Sequence, residues 1–182
     1  MRMVLLHACC APCSSAVIEN MLTDSIIPVI YYYNPNIFPL EEYQRRRDEC
    51  QRYAQLFNLD FIEGQYNHDS WLASISNLEN EPERGLRCRK CIALRLLLTA
   101  KRASEMGISE IASSLGSSRW KDCNQIAEGG RQAAQMFSVT FFDKNWRTEE
   151  LSRRRRILLM ENQFYNQNYC GCEFSTRPLS KG

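Results

Sequence analysis

Apolar runs of strand length alternate with amphipathic helical periods from end to end of the sequence, and this alternation leaves few folds open. Residues 3–8, 26–33, 60–63, 108–113 and 139–142 read as strands, the second rich in β-branched and aromatic side chains. Between and after them, helical spacing covers 14–22, 40–58, 88–105, 122–136 and 149–162, with a weaker helix at 68–75. Pro12 suits a first helical turn, where its missing N–H has no partner to lose, and Gly107 suits a C-terminal cap. The pattern predicts an α/β fold of three layers, α/β/α, with a mostly parallel sheet covered on both faces. Residues 1–182 form one expected domain. In such sheets ligands gather at the carboxyl ends of the strands, and there the first strand runs into Cys9-Cys-Ala-Pro-Cys13.

The chain of 182 residues is 44% hydrophobic and 24% charged, a globular composition. No apolar run has the length of a membrane span, and the one at 3–8 is too short for a signal-peptide core, so a cytoplasmic protein with no membrane partner is expected. A net charge of +2 gives no global field toward nucleic acid, and any such binding must use a local patch. The cysteines number nine, an odd and high count. In a reducing compartment that count favours metal ligation or redox chemistry over a disulfide scaffold.

The cysteines are also clustered. Cys88 and Cys91, three apart at a helix start, share one face, and the positive end of the helix favours their thiolates. Taken alone, this pair is equally a redox dithiol. Cys9 and Cys10 diverge in regular structure, but a strand-to-helix bend turns both toward one core. Together the two pairs supply the four thiolates of a [4Fe–4S] cluster or of a structural zinc site, and periodicity does not choose between them. Zinc knuckles usually replace a missing core, which this chain does not lack. A disulfide across the single residue between Cys170 and Cys172 closes a small, strained and easily reduced ring, which suits a two-electron store. Extra metal ligands or reduced tail thiols are the other reading. Cys50 and Cys123 fall on apolar helix faces and are expected in the core.

Two arginine runs, 45–47 and 153–156, with Lys101, Arg102, Lys121 and Lys144, are the phosphate-binding candidates, although such runs are as often solvated helix faces. At least one of Arg154 and Arg155 borders the apolar face of its helix. Tyr31, Tyr33, Phe38 and Trp120 offer stacking faces, and the two tyrosines are equally core residues at alternating strand positions. His7, ending a buried strand, is expected to be structural.

Read together, His7-Ala-Cys-Cys-Ala-Pro-Cys13, Tyr33-Asn-Pro-Asn-Ile37, Glu42-Tyr43, Gly85-Leu-Arg-Cys-Arg-Lys-Cys91 and Tyr169-Cys-Gly-Cys172 resemble the epoxyqueuosine reductase QueH family, in the same order over nearly the whole chain. The resemblance implies reduction of epoxyqueuosine in tRNA to queuosine by an iron–sulfur enzyme. It implies Cys9, Cys10, Cys88 and Cys91 as ligands of a [4Fe–4S] cluster and Cys170 with Cys172 as a redox-active pair, folded back to the active site. It also implies an adjacent mononuclear iron, for which Cys13 and Asp143 are candidates, and an external electron donor. The strand–loop–helix start resembles the ATP-pyrophosphatase (HUP) arrangement, but a glycine-rich phosphate loop is missing and no use of ATP is expected. A zinc-stabilised RNA-binding protein and a metal-free thiol–disulfide oxidoreductase are the competing readings.

Overall fold

The structure, a computed structural model, describes residues 2–175; Met1 and residues 176–182 of the expected domain lie outside the described residues. In chain order the elements are β1 (Arg2–His7), α1 (Ala11–Thr23), β2 (Ile26–Tyr32), α2 (Leu40–Leu56), β3 (Phe61–Glu63), α3 (His68–Ser74), α4 (Leu86–Glu105), β4 (Glu110–Ser113), α5 (Cys123–Met136), β5 (Thr140–Phe141) and α6 (Glu149–Glu161). Short 3-10 turns follow at Ser114–Ser117 and Glu173–Ser175. The five strands lie in the order β3-β2-β1-β4-β5 and every pairing is parallel.

The central strand explains why the alternation was readable. Val4, Leu5 and Leu6 are all fully buried, because successive side chains enter two different cores. Val4, Leu6 and Ala8 pack with Ile30 and Tyr32 on the side of α1, α2 and α6. Leu5 packs with Val29, Tyr31 and Tyr33 on the side of α4 and α5, so the two tyrosines are core residues. The sheet is therefore sandwiched, with α6 lying against α1 and α5 against α4. From β1 the chain first builds outward through β2 and β3, then returns to the other side of β1 as β4. That reversal opens a crevice between the carboxyl ends of β1 and β4.

Boundaries differ from the expected ones for local reasons. Helix α1 starts at Ala11, since Cys10 is its extended N-cap (φ −170°, ψ 158°) and Pro12 occupies the first turn. Helix α4 starts at Leu86 behind Gly85, which puts Cys91 in its second turn. Strand β4 begins only at Glu110, because the Ile108 N–H is engaged by the Ala103 carbonyl at 2.9 Å, while the Gly107 N–H reaches Ser104 at 3.1 Å. These two bonds close α4 with a Schellman turn. Cys50 lies in the core as expected, but Cys123 is exposed. It opens α5 ahead of Ile126, where burial against the neighbouring helix begins, so its place on the apolar stripe carries no packing.

Gly107 holds φ +69°, and a Cβ there would meet nothing within 4 Å. Replacing it by Ala therefore tests the backbone conformation alone. Gly107→Ala is expected to cost about 1–2 kcal/mol in urea unfolding, and Gly107→Asn less, since Asn tolerates left-handed geometry.

Candidate thiol and metal centre

Three loops at the carboxyl edge of the sheet meet around the end of β1. The Cys9 N–H donates to Ser114 Oγ at 3.2 Å, just past β4. Ser114 in turn accepts from the Ser14 hydroxyl at 2.9 Å and points its own hydroxyl at Cys9 Sγ, 3.5 Å away. From the loop after β2, Asn34 donates to the Ala8 carbonyl at 2.9 Å. The bend from β1 into α1 then gathers the sulfurs: Cys9 and Cys10 are 3.9 Å apart, and those of Cys9, Cys10 and Cys13 all lie within 4.8 Å of one another. Cys10 caps α1 and Cys13 lies one turn on, a Cys-x-x-Cys pair at a helix start.

A second thiol group forms where α4 meets the C-terminal segment. Cys91 and Cys172 are buried together with Trp71 and Ile75, and Cys170 and Phe174 pack against them. Hydrogen bonds hold this segment on several sides. The Phe38 N–H donates to the Gly171 carbonyl at 2.9 Å, Arg46 to the Cys170 carbonyl at 3.1 Å, and Arg87 to the Phe174 carbonyl at 3.4 Å. His68 lies 2.8 Å from a Glu173 carboxylate oxygen. Gly171 has φ +99°, and a Cβ there would fall 2.9 Å from Ile37 Cγ1 and 3.0 Å from Arg46 Nη1. The residue between the two cysteines has to be glycine on both counts.

One cavity of ≈ 260 Å³ is walled by Cys9, Cys10 and Cys13 and, of the second group, by Cys170 alone; Cys88, Cys91 and Cys172 are not in its wall. Among the described residues six cations line it, Arg46, Arg95, Arg119, Lys121, Arg155 and Arg156, and no carboxylate does. Arg95 is only 2% exposed; it bonds Asn34 Oδ1, and its Nε has no partner. Lys121 is also buried, with Nζ 2.6 Å from Cys170 Sγ. Cations buried without carboxylates need other anions, because an uncompensated charge costs several kcal/mol.

The thiols supply those anions. Hydrogen bonds from Cys10 and Cys13 hold Cys9 well below the ordinary thiol range against burial, and Arg95 adds to this. Hydrogen bonding to Cys13 and Cys9, with burial, keeps Cys10 protonated. Cys10 pulls Cys13 down, but its bond to Cys9, burial and the Cys9 charge together push it up to about 12. Burial raises Cys170, yet the Lys121 ammonium and then Arg95 more than offset it, and this thiol ends below its usual value. Burial and the Cys170 charge push Cys172 up to about 12. Cys88, expected to gain from the helix end, is instead raised by burial, with Lys121 opposing. A clustered, half-buried, sulfur-only donor set inside a cationic wall has the chemistry of a thiophilic metal or iron–sulfur centre, and not that of Mg or Ca.

Other expected residues fall elsewhere. Asp143 is ion-paired with Arg131 at 2.5 Å and lines a different cavity with Cys123 and Lys144. Of the 45–47 run, Arg46 is buried against the Cys170 segment, Arg47 pairs with Asp48 and Glu63, and the Arg45 guanidinium stacks 3.5 Å over Tyr165. Lys101 and Arg102 pair with Glu105, and Lys144 with Asp24. Phe38 is exposed and stacks on His68, while Trp120 is among the residues lining the thiol cavity. His7 is fully buried, and burial followed by Arg95 lowers its pKa to about 3, so the ring is neutral. Its Nε2 donates to the Tyr33 carbonyl at 3.0 Å, leaving Nδ1 to accept from Ser113 at 3.0 Å. His7 is a structural bracket.

Fold and site define a parallel α/β protein with a thiol-lined, cation-walled pocket at its topological switch point. A family model described as "Epoxyqueuosine reductase QueH" matches residues 4–178. Proteins named epoxyqueuosine reductase QueH align over 179 residues at 44% identity in Haemophilus influenzae (98% of this chain, 73% of the relative) and at 41% in Acinetobacter baylyi (98% and 82%). The Thermotoga maritima protein of that name is 33% identical over 178 residues (96% and 91%). The chain belongs to the epoxyqueuosine reductase QueH family.

Two outcomes are expected from this geometry. In the reduced protein, iodoacetamide should label Cys170 before Cys172, and Lys121→Met should slow the Cys170 reaction and move its pH profile upward; mass mapping decides. Separately, His7 drops from 6.5 to about 3 on folding. Its contribution to stability is complete above pH 6.5 and is lost toward pH 3, at up to about 1.4 kcal/mol per pH unit. Urea midpoints of the native protein should show this acid limb, and those of His7→Gln should lack it.

Proposed function

We propose that the chain carries out the two-electron reductive deoxygenation of epoxyqueuosine in tRNA to queuosine. The carrying observation is that Cys170 shares one cavity with Cys9, Cys10 and Cys13, in a chain that aligns with epoxyqueuosine reductases over nearly its whole length. Cys9, Cys10, Cys88 and Cys91 hold a [4Fe–4S] cluster, and Cys170 with Cys172 is the redox-active pair. Cys13 is the accessory ligand for an adjacent iron, in preference to Asp143, which is paired elsewhere. When bound, such a centre supplies single electrons and a Lewis acid for an epoxide oxygen.

The chain's own residues balance the chemistry. Cys170 enters as a thiolate beside the Lys121 ammonium, and Cys172 as a thiol. The two sulfurs supply two electrons, and Cys172 and the Lys121 ammonium supply one proton each. Both epoxide C–O bonds break, a C=C bond forms, and the oxygen leaves as water with one proton from Lys121 and one from Cys172. The sulfurs join as a disulfide. An external donor, a thiol or a low-potential electron carrier, returns two electrons to the pair, while Cys172 and Lys121 each regain one proton from solvent.

Anaerobic purification is expected to give a brown protein containing iron and acid-labile sulfide; zinc alone, or no metal, would sink the cluster. Cys170→Ser should keep the cluster spectrum and lose conversion of epoxyqueuosine to queuosine in tRNA. Full turnover in that variant would remove the dithiol from the reaction.

A further inference from the structure

The four-arginine run of α6 is divided by its ion pairs. Arg153 is held by Glu149 at 3.0 Å, and Arg154 by Glu19 at 2.6 Å and Glu161 at 3.3 Å. Arg155 and Arg156 instead line the thiol cavity, and among the described residues neither pairs with a carboxylate. Also on the wall is Arg119, exposed, its guanidinium 4.5 Å over the Trp120 ring and likewise without a carboxylate partner. The deeper cations are already engaged: Lys121 by Cys170, Arg95 by Asn34, and Arg46 by Glu42 and the Cys170 carbonyl. The outer three are not consumed by the fold.

We infer that Arg119, Arg155 and Arg156 form a phosphate-binding rim. The rim takes the backbone of a single-stranded RNA segment on either side of one nucleotide whose base enters the cavity. At ≈ 260 Å³ the cavity is below the roughly 300–1,000 Å³ of an ordinary small-ligand pocket, and the metal centre proposed above would take part of it, so no more than one base can enter and the backbone stays at the mouth. Phosphates there meet guanidiniums that have no competing carboxylate, which suits bidentate contacts. This rests on the RNA substrate of the proposed function and adds where that RNA is gripped.

The test is fluorescence anisotropy of the anaerobic holoprotein with a labelled, unmodified RNA stem–loop carrying a single-stranded loop, over a KCl series. Each lost single-strand phosphate contact lowers the slope of log Kobs against log salt by about 0.7. Arg155→Ala/Arg156→Ala should therefore lose about 1.4 in slope and Arg119→Ala, on a separate segment, about 0.7. Arg153→Ala, on the same helix but ion-paired, should keep the slope of the unaltered protein. An unchanged slope in the double variant and in Arg119→Ala overturns the rim, as does an equal loss in Arg153→Ala, which would mark general charge. The RNA carries no epoxide, so the two readings separate. Rim variants that lose slope in a protein without reductase turnover would sink the substrate assignment and leave the rim standing.

Discussion

A thiolate survives in a dry pocket only beside a cation, and a buried cation survives only beside an anion. In this chain each stands in for the partner the other lacks. Among the described residues Lys121 and Arg95 have no carboxylate partner, and Cys170 and Cys9 are the thiols they favour as anions. Replacing such a cation therefore does more than empty a space. It leaves a thiol whose burial now works unopposed, and the segment it anchors loses a charged tether.

This reciprocity depends on segments far apart in sequence, and the parallel sheet brings them together. The end of β1 provides Cys9, the turn after β4 provides Ser114, and the loop after β2 provides Asn34. Asn34 uses both ends of its amide, donating to the Ala8 carbonyl and accepting from Arg95. It thus couples the strand that carries the double cysteine to the helix that carries Cys88 and Cys91. The C-terminal segment is the last piece, held to α2 through Arg46 and to the loop before it through Phe38.

The strands and helices were legible because the sheet is buried on both faces and its periods are clean. Boundaries were less so where one residue serves two elements, as Ile108 does at the end of α4. The double cysteine and the Cys-Gly-Cys segment were legible from the spacing of the cysteines along the chain. Cys13 was read as an accessory, yet Cys10-Ala-Pro-Cys13 carries its own signal, a Cys-x-x-Cys pair across a helix-starting proline. Lys121 was read as a phosphate contact and Arg46 as part of a surface run, while Arg95 was not singled out. No local pattern marks a cation as buried, since burial depends on which distant segment covers it. Cys123 shows the converse: its helical spacing was apolar, but the neighbouring helix does not reach it.

The same reasoning explains why net charge concealed the site. Setting aside the six cations of the thiol cavity leaves 17 of the 23 basic residues against 21 acidic ones, so the rest of the chain is negative by four. The overall value of +2 averages a concentrated positive pocket over a mildly acidic body. A polyanion approaching such a body is repelled over most of it and drawn to one mouth, where low-dielectric walls focus the field. Charge that is unremarkable in sum becomes directional in place. The inner cations fix the thiols, and the outer ones decide which face an anionic chain can touch.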